Sequence, residues 1–297
     1  MRKGLRKRNL VGYGFIAPAL IFYAVFFGFP VVFSLLVSTR RWNMLVPFEE
    51  ARFYGFRHFE YLLKNELFMR ALLNTCLYAI ITVFVTISLS LIFATLINKS
   101  KFSVLWRFLY FTPIVTPPVA IGTIWNYLYK PNNGVFNHIL GSVGIDPVYW
   151  LTDPNTVLFA VMITAIWGGI GSSMLIFTAG IQNIPQAYYD AAKIDGAGPF
   201  RQFWNITIPM LKPTILFLTA TGMIGAWQVF DLPFIMGKNA PAKSIMTVSG
   251  YVYESAFQSM RMGRASAGAF ILFIVIFIVT IFILRAFRKG GMSGYED

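Results

Sequence analysis

A chain of 297 residues that is 57% hydrophobic and only 12% charged departs from soluble domains, in which about a quarter of residues are charged. A mean hydropathy of +0.63 excludes an ordinary water-soluble globule. The formal charge of +13 does not mark a nucleic-acid binder, because the basic residues are scattered among apolar runs.

Stretches free of Asp, Glu, Lys and Arg for about 18 residues or more approach the ~20 helical residues that a hydrocarbon core requires. In chain order they are Val11–Thr39, Ala71–Asn98, Phe108–Tyr129, Thr156–Asn183, Pro213–Phe230 and Ala265–Leu284. The first is long enough to span and carries Pro18 and Pro30, so it reads as a retained helix rather than a signal peptide. Such runs are too long and continuous for barrel strands. The sequence predicts an all-α integral membrane fold of about six transmembrane helices, forming one domain over 1–297. Prolines 113, 117 and 118 should bend or break the third span.

The basic opening Met1–Arg8 predicts a cytoplasmic N-terminus, and an even number of spans returns the C-terminus to the same side. The segments Arg40–Arg70, Lys130–Asn155 and Ile235–Arg264 then face outward. The first of these carries enough arginine to run against the positive-inside bias, along with Glu49, Glu50, Glu60 and Glu66. Cys76 stands alone in an apolar span, and His58 and His138 do not have zinc-ligand spacing, so no disulfide or metal site is expected. No Gly-x-x-x-x-Gly-Lys-Ser/Thr loop is present, so ATP hydrolysis by that route is not expected here.

The inside loop at 184–213 is punctuated by helix signals. Pro185 suits a first turn, Ala187, Ala191 and Ile194 share one face, and Gly196 supplies a left-handed stop. A second short helix after Pro199 would carry Phe200, Phe203, Trp204 and Thr207 or Ile208 on one side and Arg201, Gln202 and Asn205 on the other, with Pro209 ending it. On periodicity alone, a helix resting on the lipid interface is an open alternative.

The loop resembles the cytoplasmic signature of ABC-importer permeases: Asp190-Ala191-Ala192, then Asp195-Gly196-Ala197, Phe203, and Ile206-Thr207-Ile208-Pro209. Asp190 stands where the family usually has Glu. Further likeness lies in Phe68–Thr75, Trp227–Asp231, Tyr251–Phe257 and Met262–Ala267, which are similar to the sugar-uptake branch and its maltose and glycerol-phosphate first-permease type. The resemblance implies a type I importer fold in a bacterial cytoplasmic membrane, with nucleotide-binding ATPase subunits that hold ATP and Mg, a second homologous permease, an external solute-binding protein and a sugar substrate. It implies that the 184–213 loop forms a coupling helix docked on the ATPase, with Gly196 allowing a tight turn, the alanines keeping the knob narrow and Phe203 as an anchor.

The same resemblance places a substrate path near mid-membrane on the spans flanking this loop. It raises Gly169, Ser172 and Ser173 on the fourth span and Gly222, Gly225, Trp227 and Gln228 on the fifth. Small-residue stripes also mark close helix packing. Trp125, Tyr127, Trp167 and Trp227 suit either sugar stacking or a membrane-interface belt, and Asp231 suits the interface. Import of a glycerol phosphate, polyol or other solute is the nearest alternative; a membrane-embedded enzyme or channel is a more distant one.

Overall fold

The computed structural model describes residues 2–98, 103–241 and 244–289. Met1 and the C-terminal residues 290–297, which enter the expectation about the termini, lie outside the described residues. Helix α1 (Arg2–Tyr23) passes through a π turn at Ala24–Gly28 into α2 (Phe29–Ser38). Strands β1 (Arg40–Arg41) and β2 (Arg52–Phe53) pair antiparallel, with Arg40 opposite Phe53 and Arg41 opposite Arg52. There follow α3 (Arg57–Lys64), α4 (Glu66–Asn98), α5 (Ser103–Val115), α6 (Pro118–Leu128), α7 (Val135–Ser142) and α8 (Val157–Gln182). Next come α9 (Gln186–Ile194), α10 (Pro199–Gln202), a π turn at Phe203–Thr207, α11 (Ile208–Met210), α12 (Lys212–Trp227) and α13 (Asp231–Met236). The described chain closes with α14 (Val248–Tyr253), a π turn at Glu254–Gln258 and α15 (Met262–Lys289).

Among the described residues, five helical segments are long and apolar enough to cross a membrane: Tyr13–Ser38, Glu66–Ile97, Val157–Gln182, Lys212–Met236 and Met262–Phe287. The remaining predicted span, the third in chain order, is broken. Pro117 has an extended ψ of 140° and separates α5 from α6, of 13 and 11 residues, because the residue before Pro118 avoids helical backbone. End to end, the two halves are still long enough for a ~30 Å core at about 1.5 Å per residue.

Proline also explains two π turns. Phe29 N–H bonds Ala24 O, five residues back, directly before Pro30, and Ile208 N–H bonds Phe203 O directly before Pro209. The wider turn accommodates a ring that has no N–H to give. Pro209 therefore does not end its helical run; the helical backbone reaches Met210 and breaks at Leu211.

The chain forms two compact units. The first comprises the residues up to Asn65 together with Tyr251–Ile271, and the second Glu66–Gly250 together with the chain from Leu272 onward. In the first unit, Arg40 donates to Ala51 O at 3.0 Å and lies over the Phe48 ring, which braces the β1–β2 ribbon.

In the second unit α8 is the axis, packed against α4, α5 and α12. Small residues set the spacing: a Cβ on Gly169 would meet Thr86 Cγ2 at 3.2 Å, and one on Gly171 would overlap Tyr110 O of α5. Ser90 of α4 donates across the contact to Ile170 O at 3.0 Å. Two apolar clusters fill opposite ends of the α4–α8 pair. One gathers Tyr78, Trp125, Tyr129, Val157, Val161 and Met236; the other gathers Leu91, Ala94, Met174, Phe177, Leu211 and Leu218. Asn74 donates to Ser244 O and Met246 O, and Thr75 Oγ1 accepts Val248 N–H at 3.0 Å, tying the start of α4 to the approach to α14. The turn-rich 130–155 segment contains α7, whose Asn137 donates to Pro131 O and Val148 O and accepts from Trp150 Nε1.

This packing makes a paired prediction. Gly171→Ala must push α5 away from α8 and should destabilise the protein by about 1–3 kcal/mol, whereas Gly168→Ala points into open space and should be neutral; thermal unfolding of the purified protein in detergent compares them.

Candidate functional site

Between the two clusters of the second unit, the helices leave a cavity of about 270 Å³. Its wall is Tyr78, Thr82, Val83, Thr86 and Ile87 of α4, Ala165, Gly169, Ser172 and Ser173 of α8, and Leu218, Gly222, Gly225 and Ala226 of α12, with Val229 beyond. Of the residues raised from the sequence, Gly169, Ser172, Ser173, Gly222 and Gly225 come together here. Gly169 both packs closely against Thr86 and lines the space, so its two readings hold together. Gly225 lines it with nothing within 4 Å of where a Cβ would stand.

Trp227 and Gln228 do not join this wall. Trp227 ends α12, is 4% exposed, and lines a separate apolar groove with Cys76, Met223 and Phe282. Gln228 caps the same helix and is exposed. Trp125 is buried in an aromatic cluster, with ring centroids 5.5 Å from Tyr129, 5.6 Å from Phe136 and 5.4 Å from Trp167. Tyr127 is exposed beneath the Lys130 ammonium, and Asp231 is exposed in the first turn of α13.

The α4 wall was missed from the sequence, although a signal was there. Tyr78, Thr82, Thr86 and Ser90 recur every fourth residue, which puts them on one helix face, and the first three of them line the cavity. Thr82 donates to Tyr78 O at 2.6 Å and Ser172 to Gly169 O at 3.0 Å. Their hydroxyl protons are thus held by backbone carbonyls, and the oxygen lone pairs remain available as acceptors. The wall contains no Asp, Glu, Lys, Arg or His, so it suits an uncharged solute rich in hydroxyls. Among the described residues, no group of three His, Cys, Asp or Glu could hold a metal.

The 184–213 loop folds as a compact helical knob. Pro185 caps α9 one position ahead of the first turn, and the helix closes on a Schellman motif: Gly196 at φ +73° gives N–H to Lys193 O at 3.0 Å, and Ala197 N–H reaches Ala192 O at 2.8 Å. Asp190 accepts from Lys193 Nζ at 2.9 Å and Gln186 Nε2 at 3.2 Å, and these bonds, the lysine's first, hold its carboxyl below the usual carboxylate range. Asp190, Ala191, Asp195, Gly196 and Pro209 are exposed; Ala192 and Ala197 are half-buried.

Two side chains take places that the sequence did not predict. Gln202, expected on the polar outer side, is buried and donates to Ala197 O at 2.8 Å, locking the turn. Phe203 is half-buried against the cluster of Leu91, Phe177 and Leu211, so its ring anchors the knob to its own unit. Tyr189 and Thr207 pair at 3.0 Å and close α9 onto the π turn. The outward apolar surface belongs instead to Ile194, Phe200 and Trp204, with Ile194 87% and Phe200 77% exposed.

Comparison with known proteins agrees with this architecture. The family described as "Binding-protein-dependent transport system inner membrane component" matches residues 86–289. The chain is 31% identical over 290 residues to the arabinooligosaccharides transport system permease protein AraP of Halalkalibacterium halodurans, covering 95% of this chain and 90% of that one. It is 34% identical over 284 residues to the lactose transport system permease protein LacF of Rhizobium radiobacter, covering 93% and 92%. The fold superposes with a TM-score of 0.83 at 23% identity on a chain from the crystal structure of a bacterial ABC transporter that imports the acidic polysaccharide alginate, covering 97% of this chain and 99% of that one. The chain therefore belongs to the binding-protein-dependent transport system inner membrane component family, the multi-pass permeases of ABC transporters.

Proposed function

We propose that this permease imports a carbohydrate through the cavity between α4, α8 and α12, driven by a separate ATPase that docks on the α9–α11 knob. The observation that carries the reading is the uncharged, hydroxyl-bearing wall of Tyr78, Thr82, Thr86, Ser172 and Ser173, whose oxygens can accept the hydroxyl protons of a sugar and which offers no cation for a phosphate. Relatives that move lactose and arabinooligosaccharides support the class. A second homologous permease supplies the other half of the pathway, and an external binding protein delivers the solute. Both termini face the cytoplasm, and so does the knob.

Closure of the ATPase would push on Ile194, Phe200 and Trp204, exposed apolar groups that otherwise carry a hydration cost. The push would reach the cavity through the Phe203 cluster, which contacts α4, α8 and α12 at their knob ends. No covalent chemistry falls to this chain.

Two outcomes check the proposal. Gly225→Leu should fill the cavity without displacing a neighbour, so uptake of the transported radiolabelled sugar should fall at least about tenfold, a change of about 1.4 kcal/mol, while the complex assembles and hydrolyses ATP. A panel in which a non-sugar solute enters and no sugar does would reject the substrate class. Phe200→Asp, a change at an exposed site, should cost about 1–3 kcal/mol of docking and weaken co-purification with the ATPase subunit without lowering the permease's own thermal midpoint.

A further inference from the structure

The arginine-rich Arg40–Arg70 segment runs against the positive-inside bias, and neither the cavity nor the knob uses it. In the first unit it closes a pocket of about 810 Å³ with the start of α15. Arg41, Arg52, Arg261 and Arg264 line this pocket against one acid, Glu50. Among the described residues the ion pairs are Lys64–Glu60 and Lys193–Asp190, so none of the four guanidiniums is matched by a carboxylate within 4.0 Å. Their neighbours are otherwise engaged, Arg40 with Ala51 O and Arg57 over the Tyr54 ring. Arg264 lies 3.9 Å from the Tyr61 ring centroid, and its Nε is buried without an acceptor.

His58 brings no charge of either sign. Burial, then the positive charges of Arg264 and Arg41, hold its imidazole below the ordinary value against the opposing bond to Arg40 O, which leaves it neutral at pH 7. The pocket thus has an excess of fixed positive charge.

The backbone is built around this arrangement. After the π turn at Glu254–Gln258, Ser259 N–H bonds Glu254 O and Arg261 N–H bonds Ser255 O, each at 2.8 Å, and between them Met260 sits at φ 52°. That left-handed conformation is uncommon for a side chain of this kind, and such strain gathers at functional sites. Gly263, next to Arg264, lies so close to the ribbon that a Cβ would overlap Arg40 O.

Position then identifies the ligand. The spans Tyr13–Ser38 and Met262–Phe287 both end here, and the Gly263–Arg40 approach shows that the two ends meet. Arg41 follows one span and Arg264 opens the other, which is the depth of lipid phosphates. Trp42, Tyr54 and Tyr61 line the same pocket, residue types that gather at that depth. Leu45 and Phe53 beside them are more than three-quarters exposed, apolar surface facing outward at the rim.

We infer that this pocket seats the phosphate headgroup of an anionic glycerophospholipid, held by Arg41, Arg52, Arg261 and Arg264, with the aromatic rim against the start of the acyl chains. The site does not depend on which membrane face it occupies or on which solute the cavity carries.

The test uses the assembled transporter in nanodiscs of phosphatidylcholine, titrated with phosphatidylglycerol and read by native mass spectrometry of retained lipid. Arg41→Gln with Arg261→Gln, both exposed in the structure, should weaken phosphatidylglycerol retention about 30-fold, and Arg52→Gln alone about fivefold. Glu50→Gln should not weaken it, and phosphatidylcholine should be unaffected throughout. Equal phosphatidylglycerol retention by wild type and variants would overturn the inference, and so would binding of inorganic phosphate without any preference for phosphatidylglycerol.

Discussion

The close approach of α8 to its neighbours is the constraint on which the second unit depends. Lipid tails are as apolar as leucine, so burying apolar surface gives membrane helices little reason to associate, and dispersion contacts between closely set backbones must do so instead. Gly169 against Thr86 and Gly171 against Tyr110 O supply that closeness, and the Ser90 bond to Ile170 O adds a polar tie of the kind hydrocarbon favours. Where α12 joins through Gly222 and Gly225, small residues on two helices and hydroxyls on a third no longer fill the space. The cavity is thus a consequence of the same residue sizes that hold the helices together, and its uncharged polar wall follows from what a span can carry at that depth.

The knob obeys a different constraint. Outside hydrocarbon, its helix ends must be satisfied by local geometry, and the Gly196 Schellman turn, the Gln202 bond to Ala197 O and the Tyr189–Thr207 pair do this. Those contacts make a rigid body that presents Ile194, Phe200 and Trp204 outward and roots itself through Phe203 in the cluster below. A rigid exposed surface rooted at the ends of three spans can transmit a displacement, which a floppy loop cannot.

Much of this was legible in the sequence because hydrocarbon imposes a strong pattern. Charge-free runs marked the spans, and Gly196 with its flanking alanines marked the turn. Five of the seven residues raised for the solute path line the cavity. Trp227 and Gln228 escape because α12 ends there and turns them away from the wall, a rotation that hydropathy does not encode. The Tyr78-Thr82-Thr86 stripe is readable at helical spacing, but it sits on a span away from the loop and among other polar residues of the same helix, so spacing alone does not single it out. Gln202 turns inward for a bond to Ala197 O that its polarity alone does not announce, and Pro209 depended on the π turn at Phe203–Thr207, which has no reliable sequence mark beyond the proline it precedes. The break at Pro117-Pro118 was expected; the ribbon of Arg40–Arg41 with Arg52–Phe53 was not, since two-residue strands leave no alternation to read.

The central claim is that the glycine-turned knob faces the cytoplasm and is covered there by the ATPase. A single cysteine at Ile194→Cys, in a Cys76→Ser background, reports both through its reaction with a membrane-impermeant maleimide. The account predicts modification only from the cytoplasmic face of oriented vesicles, with protection once the ATPase subunit is added. Modification from the outside, or equal modification with and without the ATPase, would contradict it.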